Sequence, residues 1–166
     1  MKQITVLLFL SIAFLSCKPP KDKQFDPKVL AAPMMDDKGA EFTFQQVLDQ
    51  YKGETVLIYV WASWCVDCIQ GLPKLKEVQK KYPNIDYVFI SLDKDQRSWK
   101  NGIKRFSIKG NHYYVNGGWK SIFAKNIDLD WIPRYIVVDA TGKVVLYRAI
   151  HADDENIIKL LDKPNN

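Results

Sequence analysis

The chain has 166 residues, enough for one domain with short appendages, and 47% of them are hydrophobic, which excludes a largely disordered polymer. Its formal net charge of +5 comes from lysines interleaved with acids; no basic stripe alternates with aromatics, which argues against a nucleic-acid partner. Three cysteines are too few for a disulfide scaffold: Cys17 stands alone, and Cys65 and Cys68 form the close pair. Met1-Lys2 supplies a positive start, and Ile4 to Leu15 is almost wholly apolar. That run is shorter than the roughly 20 residues a bilayer span needs, and it fits the apolar region of a signal peptide over residues 1–16.

Phe14-Leu15-Ser16-Cys17 resembles the lipobox of bacterial lipoproteins. The resemblance implies cleavage before Cys17 and a thioether-linked diacylglycerol on it; an ordinary cleaved signal with an incidental cysteine is the alternative. Residues 17–30, containing Pro19, Pro20 and Pro27, read as the lipidated cysteine and a stiff tether, and residues 31–166 as the folded domain. Asp36-Asp37-Lys38-Gly39 is a turn signal, Glu41 to Phe44 alternates as an edge strand does, and Gln45 to Tyr51 fits one or two helical turns. Thr55 to Trp61 is short, β-rich and continuously apolar, the pattern of a central buried strand. From Cys65 the apolar positions Cys68, Leu72, Leu75, Val78 and Tyr82 recur at helical spacing, with Pro73 inside to kink the helix and Pro83-Asn84 to stop it.

Ile85 to Leu92 reads as a second strand, and Asp95 as the cap of a helix that carries Trp99, Ile103 and Phe106 and is weakened by Gly102. Lys109 to Gly118 reads as a loop, with Asn111, Asn116 and adjacent glycines. A short helix follows from about Trp119 to Asn126, then a strand over Arg134 to Asp139. Ala140-Thr141-Gly142-Lys143 turns the chain into an antiparallel strand over Val144 to Ala149. Asp153, Asp154 and Glu155 suit the start of a last helix. The order is βαβα, then a β-hairpin, then α: an α/β fold with a mixed central sheet and helices on both faces.

Cys65 and Cys68 flank a helix start, one turn apart, where a disulfide closes without strain on the spacing. The Cys65 sulfur lies at the positive end of the helix dipole, which favours thiolate, the attacking species. The spacing therefore assigns Cys65 as an exposed nucleophile and Cys68 as the deeper thiol that resolves the mixed disulfide.

Trp61-Ala62-Ser63-Trp64-Cys65-Val66-Asp67-Cys68, between an apolar strand and a helix with Pro73 five residues after Cys68, resembles the thioredoxin superfamily. More narrowly it is similar to the membrane-tethered TlpA/ResA-type thiol–disulfide oxidoreductases. Ile90-Ser91-Leu92-Asp93, Trp131-Ile132-Pro133-Arg134 and Val138-Asp139-Ala140-Thr141-Gly142-Lys143 support the resemblance over nearly all of the chain from Ala31. It implies a thioredoxin fold and a cis peptide bond at Ile132–Pro133 facing the disulfide. It also implies a substrate surface made by Trp64, Ile132 and Pro133. No cofactor is implied beyond the Cys65–Cys68 couple. The partners that the resemblance implies are protein thiols and disulfides in an extracytoplasmic compartment, apocytochromes awaiting haem among them, and a membrane thiol-transfer protein as electron donor.

The chain departs from this pattern where related proteins hold a buried acid: Tyr59 and Gly71 stand at those positions. Water, Tyr59 and Asp67 remain candidates for the proton acceptor of Cys68. Asp67 disfavours thiolate and Arg134 favours it, so the two are redox-tuning candidates unless they pair with each other or are plain surface charges. A metal set made of Cys65, Cys68, His112 and His151 lacks the paired spacing of a structural zinc site, so no metal is expected. The competing functions are copper delivery on the same fold, a peroxidase lacking the second cysteine, and a redox-inactive peptide-binding module with Trp131 in its groove.

Overall fold

The computed structural model describes residues 24–163. The expected signal segment, Cys17 and most of the tether lie outside the described residues. Asp26 caps a helical turn, α1 (Pro27–Leu30), by accepting from the Lys28 N–H, with Pro27 at the position where a missing N–H costs nothing. Phe25 and Val29 are buried in the core, so the folded unit starts before Ala31, where the tether was expected to end. The Lys/Pro-rich composition hides this cap.

A hairpin follows, β1 (Pro33–Asp36) and β2 (Glu41–Thr43), turned at Gly39. Thr43 then opens α2 (Phe44–Asp49) with a reciprocal capping box to Gln46. The central pattern is β3 (Val56–Trp61), α3 (Val66–Lys81), β4 (Asp86–Ser91) and α4 (Gln96–Phe106), the last capped by Asp95. Pro73 lies within α3, which Tyr82 closes.

The expected loop over Lys109 to Gly118 contains a strand, β5 (Asn111–Tyr114), paired parallel to β4. The flanking glycines read as loop because the strand is only four residues long. After it come a 3-10 turn (Gly118–Lys120) and α5 (Ile122–Asn126), where one short helix was expected. The chain ends with β6 (Arg134–Val138), β7 (Val144–Ala149) and α6 (Glu155–Leu161).

The seven strands form one mixed sheet in the order β2-β1-β5-β4-β3-β6-β7. The β3–α3–β4 and β4–α4–β5 units step in the same direction, so their right-handed crossovers place α3 and α4 on one face. Lys76 of α3 donates to the Phe106 carbonyl at the end of α4, and Tyr82 reaches Asp162 beyond α6. On the other face Phe25, Phe44 and Phe123 join α1, α2 and α5 through edge-to-face ring contacts. Strand β3, buried at every position, brings its carboxyl end and the start of α3 to one edge of this sandwich.

Candidate active site

Between β3 and α3 the turn Ala62-Ser63-Trp64 is held from below. Buried Asp93 accepts from the Ser63 N–H (3.1 Å to each oxygen), from the Ser63 hydroxyl (2.7 Å) and from the Ser91 hydroxyl (2.8 Å). Cys65 is the N-cap of α3, and its sulfur accepts from the Cys68 N–H at 3.2 Å. Cys65 and Cys68 are joined as a disulfide, with Cα atoms 5.2 Å apart. Cys68 is fully buried and Cys65 keeps 6% of its surface. The expected depth order is present, but Cys65 is a sliver at the floor of a groove rather than an exposed side chain.

The Ile132–Pro133 bond is cis, and the Ile132 carbonyl oxygen lies 3.7 Å from the Cys65 sulfur. The sheet ladder begins at Arg134, so the backbone of Ile132 is left outside it. Pro133 and the Ile132 side chain are buried. Trp64 and Trp131 are 51% and 59% exposed and line the groove together with Val66, Asp67 and Ile132.

A profile of the thioredoxin-like family matches residues 53–144, more than half of the chain. The chain belongs to the thioredoxin-like family. It is 28% identical over 100 residues to the thiol-disulfide oxidoreductase ResA of Bacillus thuringiensis subsp. konkukian, which covers 59% of this chain and 56% of ResA. The chain thus spans little more than half the length of that relative. Among solved structures it is similar to the C-terminal domain of a candidate thiol-disulfide oxidoreductase from Bacteroides thetaiotaomicron. That match has 30% identity and a TM-score of 0.67, over 78% of this chain and 88% of the other. A candidate thiol-disulfide oxidoreductase from Bacteroides vulgatus matches at 26% identity and a TM-score of 0.68, over 86% and 91%.

In this thioredoxin-like frame the two charges expected to tune the disulfide do not meet. Asp67 is exposed in the first turn of α3. Arg134 is only 2% exposed and pairs with Asp130. It sits opposite Val60 in the ladder, on the sheet face away from Tyr59 and α3. It is therefore neither a partner of Asp67 nor a solvated surface charge. Asp130 also binds Arg148 of β7 at 2.9 Å, and Arg148 binds Asp128, so an alternating chain of charges anchors the loop that carries Trp131, Ile132 and Pro133.

Tyr59 donates to the Cys68 carbonyl at 2.9 Å and stacks on Tyr135 at 4.6 Å between ring centres. Burial drives both hydroxyls well above the ordinary tyrosine range, so they stay protonated at neutral pH. Tyr59 is thereby removed from the candidate proton acceptors: it fixes the first turn of α3 instead. Gly71 faces the same spot, its open side 4.0 Å from the Tyr135 hydroxyl. His112 is buried against Phe89 and His151 is exposed. Among the described residues no group of three or more His, Cys, Asp or Glu side chains is placed to hold a metal.

Sequence reasoning missed Trp119, which is 38% exposed and forms a further wall of the groove. It also missed Asp93 as the support of the Ser63 turn. The run Ile90-Ser91-Leu92-Asp93 carried a signal for the latter, an acid just past a buried strand; Trp119 left none, because its neighbours in the groove are remote in sequence.

Proposed function

We propose that the chain is a protein thiol–disulfide oxidoreductase that reduces disulfides of exported proteins through the Cys65–Cys68 couple. The observation that carries the reading is the asymmetric pair: one sulfur at a helix N-cap on the floor of a groove, its partner sealed beneath it, and the Ile132 backbone alongside. In the reduced protein the Cys68 N–H and the helix dipole favour the Cys65 thiolate. That thiolate attacks a substrate sulfur: the Cys65–substrate bond forms, the substrate disulfide breaks, and its other sulfur leaves and takes up a proton. Cys68 then gives up its proton and attacks the Cys65 sulfur, forming the internal disulfide and releasing the second substrate thiol. Two electrons and two protons pass to the substrate.

The proposed setting is extracytoplasmic, with the chain held to a membrane by acyl groups on Cys17 and re-reduced by a membrane dithiol protein. The couple itself needs no added cofactor. Support comes from the apolar segment before Cys17 and the resemblance of Phe14-Leu15-Ser16-Cys17 to a lipobox. Among the described residues no helix is long and apolar enough to cross a membrane.

The test is equilibration of the protein against glutathione and dithiothreitol redox buffers. A reversible couple near about −270 mV is expected, the range of a reductase. A value near about −120 mV makes the chain an oxidant, and absence of a reversible couple removes the reading altogether.

A further inference from the structure

We propose that Trp119 selects the substrate: with Trp64 and Trp131 it builds an indole-walled groove over Cys65 that takes the bulky apolar side chain next to the reactive half-cystine of an extended, non-acidic polypeptide segment. The inference rests on the thiol–disulfide exchange reading above and deepens it to a substrate class.

The groove measures about 320 Å³ and is walled by Trp64, Val66, Trp119, Trp131 and Ile132, with Cys65 in its floor. Single exposed apolar residues are ordinary, but three indoles and a valine around one concavity are not. The three indoles come from separate places: the turn before α3, the turn before α5 and the loop before β6. Only tertiary structure assembles them.

The placement of Trp119 is built in from both sides. Gly117 and Gly118 both hold positive φ, 88° and 50°. A Cβ on Gly118 would come within 2.9 Å of the Leu92 carbonyl oxygen. The turn is therefore pressed against the end of β4, an approach and a conformation that glycine allows. On the far side Ser121 donates its N–H to the Gly118 carbonyl at 3.1 Å and caps α5 by accepting from the Ala124 N–H. Trp119 lies between these anchors.

The position of the reacting sulfur identifies the occupant. Cys65 is reached only through its small opening, so a sulfur that bonds to it must enter the groove, and the residue beside that sulfur meets the indoles. Indole faces accept bulky apolar groups at little entropic cost. The one ionised side chain on the lining is Asp67, which repels an acidic flank and tolerates a basic one. The exchange is the one written above, with a protein disulfide as electron acceptor and a dithiol as donor.

The test compares second-order rates of the reduced protein with disulfide-linked peptides that differ only in the residue beside cysteine: leucine, serine or glutamate. The wild type is expected to favour leucine over serine about tenfold, the size of discrimination an apolar pocket provides, with glutamate slowest. In Trp119→Ala the leucine-to-serine ratio falls toward one, and Trp119→Phe restores most of it. The potential of the couple, which a distorted site would move, stays in place. A wild type that reduces all the peptides without discrimination overturns the role of Trp119 and leaves the exchange chemistry intact, as does an unchanged ratio in Trp119→Ala. A wild type that reduces none overturns both readings. Flank-independent rates that fall as protein concentration rises assign the groove to a second copy of the chain and overturn the proposal.

Discussion

Asp93 is fully buried and accepts from both the N–H and the hydroxyl of Ser63, and from the Ser91 hydroxyl. Replacing it with alanine removes the acceptor of the half-buried Ser63 N–H and hydroxyl and of the fully buried Ser91 hydroxyl. Each stranded donor costs on the order of 1–3 kcal/mol, and partial relaxation leaves an expected loss of about 3 kcal/mol, measured by guanidinium denaturation. Because Ser63 lies two residues before Cys65, disulfide-reductase kcat/KM should fall in Asp93→Ala beyond what the unfolded fraction accounts for. Asp67 acts on charge alone. It is exposed in the first turn of α3, where its negative charge opposes a thiolate on Cys65. Asp67→Asn should therefore make the couple more oxidising. An exposed charge is worth about 0.2–1 kcal/mol, so the shift should be about 5–20 mV in equilibrium with glutathione. A shift toward more reducing values would mean that the sign assigned to Asp67 is wrong.

Among the elements, α4 shows most clearly how packing overrides propensity. Gly102 reads in sequence as a weakness in that helix. In the fold it lets α4 lie against the turn before Cys65: a Cβ there would stand 2.6 Å from the Ser63 Cβ and 3.3 Å from the Trp61 ring. Alanine gains about 1 kcal/mol of helix propensity, but overpacking costs about 1–3 kcal/mol and has no flexible side-chain end to yield. Gly102→Ala should thus lower the denaturation midpoint, whereas propensity alone would raise it. The same competition explains what was legible in the sequence. Strand β3, the start of α3 and the Cys65–Cys68 pair follow from local spacing, whereas the cis bond at Ile132–Pro133 was legible only through the family resemblance. Strand β5 was hidden because its four residues sit among Gly110, Asn116, Gly117 and Gly118, and its burial comes from β4 and β1 rather than from its own pattern. The pairing of Arg134 with Asp130 in place of Asp67 was hidden for a related reason: which sheet face a residue takes depends on a register that no short window contains.

At the scale of the whole molecule the sheet has two sides about β3 and β4. One, β3-β6-β7 with α3, carries the disulfide and the cis proline; the other, β5-β1-β2, closes the core at the far edge. Among the described residues His112 is the histidine of that second side. It lies on β5 opposite Phe89, stacks on that ring at 4.9 Å, and its Nε2 lies 3.1 Å from the Ile108 carbonyl oxygen, to which a neutral Nε2–H donates. Burial holds its pKa below the ordinary histidine value, outweighing the Ile108 hydrogen bond and the attraction of Asp37. The unfolded chain titrates near about 6.5, so on acidification it takes up this proton before the folded chain does. Stability from His112 is therefore complete above that value and is lost as pH falls toward the lowered folded pKa. The urea midpoint should drop between about pH 7 and pH 5, ahead of the carboxylates. His112→Phe, which keeps a ring on Phe89 and removes the proton, should flatten that drop. Parallel midpoint curves for the variant and the wild type would assign the acid sensitivity elsewhere. The loss begins at β5, which joins the hairpin β1–β2 to β4, so the acid-weakened edge is the one remote from Cys65. The redox couple of the protein that remains folded should then be unaffected by the His112→Phe substitution at pH 7, where burial keeps His112 neutral.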